Sequence, residues 1–393
     1  MTSTPTTAPQ FDLTDDQREV RAMVREFADA RIAPNAAAWD RDHTFDRALY
    51  GELAELGLMG VCVPEELGGA GMDFLCYVLA VEELSRADAG VGVTIAVHTS
   101  ASTLPIVHWG TPEQQRAWVP RLASGEVIGS FALTESGAGS DAGSMLTRAE
   151  EQSDGSFRIT GRKQWITNGA HAGSFITFAR SEPDTTDASG VSAFLVRGDA
   201  PGLSVGRVEE KLGLNSSNTV DMAYDGVEVA AADLLGTRGK GFRIAMQTLD
   251  GGRITIAAQA LGIAQAAFDL AAGYATERTT FGKPIGSHQG IAFKLAEMST
   301  EIEAARALTY RAAALKLAGL PHTVEGAQAK LFASGVARRV TGEAIQVLGG
   351  YGYSKEFPAE RYYRDAKITE IYEGTSEIQK LVIARRLLGL DVR

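Results

Sequence analysis

Cysteine is almost missing from this chain. Cys62 and Cys76 are the only two among 393 residues, both in apolar surroundings and without metal-ligand or redox spacing. Buried free thiols in a reducing compartment are the expectation. Long basic runs are missing too. The chain has 38 Lys and Arg against 49 Asp and Glu, a net charge of −11, which argues against nucleic acid or an anionic membrane as partner. No apolar run approaches a membrane span. Residues 1–10 are rich in Thr and Pro, with no charge and no apolar centre, unlike a signal or transit peptide. They are expected to be a disordered tail on a soluble, cytoplasmic protein. His98, His108, His171 and His288 stand isolated, so no metal site is expected.

What is present is an ordinary globular composition, 45% hydrophobic and 22% charged, in a chain long enough for about two or three domains. Residues 11–126 read as a helical domain. Thr14-Asp15-Asp16-Gln17 is a capping box, followed by a stripe of Val20, Met23, Val24 and Phe27. Pro34 is expected to end or bend that helix. Phe45 to Leu58, Tyr77 to Ser85 and Gly90 to Leu104 read as further helices, and Thr111 with Pro112 opens another. Over residues 127–236 the texture turns to β: Val127 to Leu133, Phe157 to Thr160, Gln164 to Thr167, Phe175 to Ala179 and Val191 to Val196. Strands so close together imply an antiparallel sandwich or barrel. Residues 237–393 return to long helices, Phe242 to Glu277, Gln289 to Ala318 and Val324 to Leu348, which at that length and alanine content pack as a bundle. The fold class is α+β and multidomain.

The run Ile371-Tyr372-Glu373-Gly374-Thr375-Ser376-Glu377-Ile378-Gln379 sets a carboxylate between an aromatic ring and a glycine. Thr375 and Ser376 can cap the helix marked by Ile378, Leu381, Val382 and Leu388. On that turn, with Gly374 admitting a substrate to the backbone, Glu373 is placed as a general base. In Phe131-Ala132-Leu133-Thr134-Glu135-Ser136-Gly137-Ala138-Gly139-Ser140-Asp141, Gly137, Gly139 and Ala142 fit a loose dinucleotide fingerprint. The helix it requires is lacking, since Met145 to Gln152 is short and alternating, so the Rossmann reading fails. Trp165 and Thr167 share one strand face and offer a stacking surface and a hydrogen bond to a planar heterocycle, against the alternative of a core Trp before an Asn-Gly turn. Arg278 presents a planar fork suited to pyrophosphate, and Gly349-Gly350 permits close approach of phosphate or ribose.

In this order, from about Phe11 to Leu390, the segments resemble the acyl-CoA dehydrogenases, flavoenzymes that put a double bond between the α and β carbons of an acyl-CoA. The resemblance implies a helical domain, a β domain and a C-terminal four-helix bundle. It implies FAD as cofactor, met by Phe131, Ala132, Leu133, Thr134 and Ser140, by Trp165, Ile166 and Thr167, and by Thr375, Ser376 and Glu377. Arg278, Thr280, Phe281, His288 and Gln289, with Gln346, Val347, Leu348, Gly349 and Gly350, would reach the FAD of a neighbouring subunit. The implied assembly is therefore a homo-oligomer, a tetramer by resemblance. Substrate contacts fall on Ser140, Asp250, Gly251, Gly252, Arg253, Tyr372 and Gly374, and Glu373 is the catalytic base.

Ser136 departs from the proline common in the family without removing a chemical group. Gly252 occupies the place where isovaleryl- and long-chain-type relatives carry their glutamate, which leaves Glu373 without a rival. The Asp250-Gly251-Gly252-Arg253 run, expected to open a long helix, looks most like the short-chain, butyryl-CoA branch, with short branched acyl groups open. An electron-transferring flavoprotein is the implied partner. An oxygen-using acyl-CoA oxidase or flavin monooxygenase on the same fold is the first rival; a non-catalytic DNA-associated relative is the second.

Overall fold

The computed structural model describes residues 12–390 and 392, and the expected tail over 1–10 lies outside them. Helices α1 (Asp15–Phe27), α2 (Ala33–Asp42), α3 (Arg47–Glu55), α4 (Phe74–Ala87), α5 (Ala89–Ala96), α6 (Leu104–Trp109) and α7 (Pro112–Ala123) come first. Thr14 and Thr111 each trade hydrogen bonds with the glutamine three residues on, closing capping boxes on α1 and α7. Pro34 does not stop the chain from turning. A π turn, Ala28–Ile32, joins α1 to α2, and Pro34 falls in the first turn of α2, where a missing N–H is tolerated. A second π stretch, Val97–Thr103, splits the helix expected over 90–104. There Ser100 Oγ donates to the Ala96 carbonyl at 2.7 Å and Thr103 Oγ1 to the His98 carbonyl at 2.8 Å, side-chain bonds that compete with the regular ladder.

Strands β1 (Ile128–Ala132), β2 (Arg148–Glu151), β3 (Phe157–Thr167), β4 (Ala172–Arg180), β5 (Val191–Arg197), β6 (Leu203–Val208), β7 (Thr219–Val229) and β8 (Leu234–Leu235) form one sheet. Its order is β6-β7-β3-β2-β4-β5-β8, with β1 beside β4. The β1–β4 and β2–β4 pairs are parallel, so the sheet is mixed where a purely antiparallel one was expected. β3 runs unbroken through the expected gap. Gly161 (φ 153) carries a register shift there, and any Cβ would fall 2.5 Å from Thr147 Oγ1. β4 buries both faces: Ile176 and Phe178 pack with Trp118 and Leu122 of α7, while Phe175 and Ala179 meet Phe157, Phe194 and Tyr224.

The last third holds α8 (Gly241–Glu277), a hairpin of β9 (Thr279–Thr280) and β10 (Lys283–Pro284), α9 (Gln289–Leu317), α10 (Thr323–Leu348), α11 (Ala359–Ile368) and α12 (Ser376–Leu388). The core of this bundle is not its own. Val78, Val81 and Leu84 of α4 belong to one cluster with Ile254, Leu261 and Ala264 of α8. A Cβ on Gly262 would lie 2.2 Å from the Glu82 carbonyl, so the two backbones touch. The buried Glu82 carboxylate also receives Arg306 at 3.1 Å and Tyr310 at 2.8 Å from α9. First and last thirds thus share a core, with the β domain set against it.

Contrary to the sequence expectation, two stretches are long and apolar enough to cross a membrane, Ala89–Trp109 and Gly241–Glu277. Their most apolar windows are 94% and 78% buried inside the protein. A helix apolar on every side belongs in a core as readily as in a bilayer.

Candidate active site

Glu373 lies in the bend between α11 and α12, and its backbone is unusual. Its φ is 50° and that of Gly374 is 91°, two left-handed residues in succession. Such a conformation costs a non-glycine residue about 1–3 kcal/mol and persists only where its surroundings enforce it. They do so here. Thr375 caps α12, its hydroxyl accepting the Ile378 N–H at 3.3 Å, and the Ser376 N–H donates to the Glu370 carbonyl at 2.9 Å. The Gly374 carbonyl accepts from Gln379 Nε2 at 2.7 Å and from Lys330 Nζ of α10 at 2.5 Å. Tyr372 is anchored to α8 through its hydroxyl, which donates to Gln259.

This turn lays the carboxylate against α8. A Cβ on Gly252 would fall 2.0 Å from Glu373 Oε2, so the glycine is the space the carboxylate occupies. Oε2 is buried with no hydrogen-bond partner, and so is Nε of Arg253 one residue along. Orphaned buried polar atoms are uncommon and mark places where a ligand completes the set. Burial pushes Glu373 up to about 7, against the opposing pull of Lys330 and Arg253. Among the described residues, the backbone N–H groups of Glu373 and Gly374 donate to no acceptor. Arg253 also binds Asp250 at 2.5 Å, and Asp250 receives the Thr323 hydroxyl at 2.6 Å. The Asp250–Arg253 run was expected to open a helix; it sits well inside α8, which begins at Gly241.

The other predicted residues fall into two further groups. In the β domain, Trp165 is 55% exposed at φ 62°, on a bulge of β3. Thr167 and Thr134 are half-buried, Ser140 is exposed on the loop after β1, and the half-buried Phe131 ring packs against Phe178. Ala132, Leu133 and Ile166 have buried side chains, which leaves only their backbone for a ligand. The loop after β1 is folded by a feature without a role in the sequence reading. Glu135 accepts from the N–H groups of Leu146 at 2.6 Å and Thr147 at 2.9 Å, and from the buried Lys163 Nζ at 2.8 Å.

In the second group, Arg278, Thr280, Val347, Leu348, Gly349 and Gly350 line one cavity of about 560 Å³, together with Tyr274 and Tyr351. None of its lining residues comes from the β domain or the Glu373 turn. The side chains of Val347 and Leu348 are buried, Gln346 and Gln289 are exposed, and His288 Nε2 lies 3.4 Å from the Thr280 carbonyl. Phe281 tips the β9–β10 hairpin at φ 49°, 95% exposed. Arg278 forms no ion pair among the described residues, and a Cβ on Gly349 or Gly350 would meet open space. A free guanidinium beside open glycines, and a bare indole elsewhere, fit a long group carrying a pyrophosphate and a flat ring system. Thr375 and Ser376 are half-buried and engaged in capping, and Glu377 is exposed.

Sequence reasoning missed Lys330, Gln379 and Gln259. Lys330 had a legible signal. It stands in a stripe of Ala327, Ser334, Ala337 and Thr341 at helical spacing, all of them buried.

A helical, β, helical chain with a carboxylate on a strained turn and open ground for a flat, pyrophosphate-bearing group has the layout of a flavin-dependent dehydrogenase. The sequence matches the acyl-CoA dehydrogenase N-terminal domain over residues 14–126, the middle domain over 130–227 and the C-terminal domain over 239–388. The chain belongs to the acyl-CoA dehydrogenase family, oxidoreductases that act on acyl-CoA with FAD. It is 50% identical over 377 residues to an acyl-CoA dehydrogenase of Bacillus subtilis, covering 96% of this chain and 99% of that one. Butyryl-CoA dehydrogenase from Megasphaera elsdenii superposes with a TM-score of 0.95 at 45% identity, covering 97% of this chain and 100% of that one. A chain from a structural study of the electron transferring flavoprotein of Acidaminococcus fermentans matches with the same TM-score, identity and coverage.

Proposed function

We propose that this protein desaturates short-chain acyl-CoA thioesters to the trans-2-enoyl-CoA, with Glu373 as the base. The observation that carries the reading is the Glu373 carboxylate itself, held on a left-handed turn with an orphaned oxygen in the space left by Gly252. Glu373 takes the α-proton; the electron pair released forms the new double bond as hydride leaves the β carbon. FAD, when bound, supplies the acceptor for that hydride. A positioned base is worth about a hundred- to ten-thousandfold in rate. The free N–H groups of Glu373 and Gly374 are placed to polarise the thioester oxygen, where charge develops. Arg253, Asp250 and Ser140 are assigned to the CoA portion, and Tyr372 and Gly374 to the thioester end.

A short acyl group is supported by the likeness to butyryl-CoA dehydrogenase. The separation of the Arg278–Gly350 cavity from the Trp165 face supports an FAD site completed by a second subunit in a homotetramer. Electrons then pass to an electron-transferring flavoprotein in the cytoplasm, where the two free thiols are stable.

The test is anaerobic titration of the FAD-loaded protein with butyryl-CoA, following flavin absorbance, beside Glu373→Gln. Wild type is expected to bleach and the variant not. The base must be ionised, so the rate is lost as pH falls through about 7. Bleaching of both proteins removes Glu373 from the reaction. Bleaching of neither, across short straight and branched acyl-CoAs, sinks the substrate class. Hydrogen peroxide formed at the rate of turnover in air would make the enzyme an oxidase.

A further inference from the structure

Lys330 is a costly residue where it stands. Its side chain is 1% exposed on α10, and a buried ammonium is retained only where something compensates its lost hydration. Its hydrogen bond to the Gly374 carbonyl does not explain a charge, because Gln379 already donates to that oxygen with a neutral amide. No carboxylate lies within 4.0 Å of Lys330 Nζ among the described residues. The anions that act on it from farther off are Glu373, then Glu370 and Glu377. Glu370 is already paired with Arg338 at 3.0 Å and Lys367 at 2.6 Å, and Glu377 is exposed. Glu373 alone is left, with a buried oxygen and no partner.

The position of α10 is set by Gly326, where a Cβ would lie 3.2 Å from the Asp250 carbonyl of α8. One helical turn later the same face presents Lys330 beside Arg253 and the Glu373 turn. We propose that Lys330 is a positioning residue for the reaction: its ammonium pins the Gly374 carbonyl, enforces the left-handed turn, and keeps the Glu373 carboxylate charged without touching it. The distance matters. A direct salt bridge would occupy the lone pairs that must receive the substrate proton, whereas a cation just beyond contact stabilises the anion through the low-dielectric interior and leaves them free. The groups facing Glu373 are Lys330 from α10, Arg253 from α8, Tyr77 from α4 and the adjoining Tyr372. Of these, only Lys330 also holds the backbone of the turn.

This rests on Glu373 as the base. The experiment is anaerobic stopped-flow reduction of the bound FAD by butyryl-CoA from pH 5.5 to 9, on holoenzyme of Lys330→Gln, Lys330→Arg, Gln379→Leu and Glu373→Gln. Removing the cation disfavours the carboxylate, so the acid limb of Lys330→Gln is expected to move up by about one pH unit or more, a tenfold loss of rate on that limb. Lys330→Arg should return the limb to the wild-type position. Gln379→Leu should lower the plateau rate and leave the limb in place. A limb unmoved in Lys330→Gln, or moved equally in Gln379→Leu, overturns the proposal. Should Lys330→Gln fail to load FAD, Lys330→Arg still decides, since a limb displaced with the charge retained is equally fatal. Reduction of Glu373→Gln at the wild-type rate defeats the base assignment itself. An inert Glu373→Gln beside an unmoved Lys330→Gln limb removes only Lys330.

Discussion

At position 252 one methyl group is enough to collide with Glu373 Oε2, 2.0 Å from where the Cβ would stand. Gly252→Ala is expected to displace the carboxylate and slow flavin reduction at least about tenfold, near 1.4 kcal/mol, with FAD content unchanged. Stopped-flow reduction and the flavin-to-protein absorbance ratio check both halves. The sequence marked Gly252 as the place where no second base stands. That the glycine also accommodates the base from another helix is a fact of packing. Glu373 was legible because its neighbours are local: an aromatic ring, a glycine and two capping hydroxyls within four residues. The pairing of Lys330 and Gln259 with this turn was not, even though the apolar stripe around Lys330 marks its face of α10 as buried. They reach the turn from 44 and 113 residues away in sequence, and a stripe can mark a lysine as inward-facing without saying which turn it meets.

At the scale of elements, caps and strand runs were readable, because Thr14, Thr111 and Thr375 bond to groups three residues distant. The π stretches over 28–32 and 97–103 and the strands β6 and β7 were not. β7 interleaves Asp221 and Asp225 with its inward Val220, Met222 and Tyr224, and its place in the sheet comes from pairing with β3. The contact of α4 with α8 offers a sharp test. Gly262→Ala would set a methyl group against the Glu82 carbonyl at 2.2 Å and the Arg86 N–H at 2.8 Å. Neither backbone can yield cheaply, so the substitution is expected to cost about 1–3 kcal/mol, read as a lower urea midpoint. Helix propensity alone predicts a gain from the same change, so the sign separates the two accounts.

For the whole molecule, the pattern of helical, β and helical thirds suggested three bodies, yet the two helical thirds close around one core. The Arg278–Gly350 cavity, open and without a residue of the β domain, carries the assembly reading. Phe281 sits at the hairpin tip in a left-handed conformation that aspartate also adopts. Phe281→Asp should therefore preserve the fold of the chain while removing its exposed ring. Light scattering is expected to show a smaller species, and the 450 nm absorbance a loss of FAD in step with it. A monomer that keeps its full FAD would mean that each chain binds the cofactor alone.

Sequence by itself determined the caps, the apolar stripes, the strand-rich middle and the short run around Glu373, because each is written in residues a few positions apart. Tertiary structure decided the rest. It chose which glycines receive a neighbour, which charges are buried together, and which apolar helices face protein instead of lipid. Those outcomes depend on distances between segments far apart in the chain, and only packing sets them.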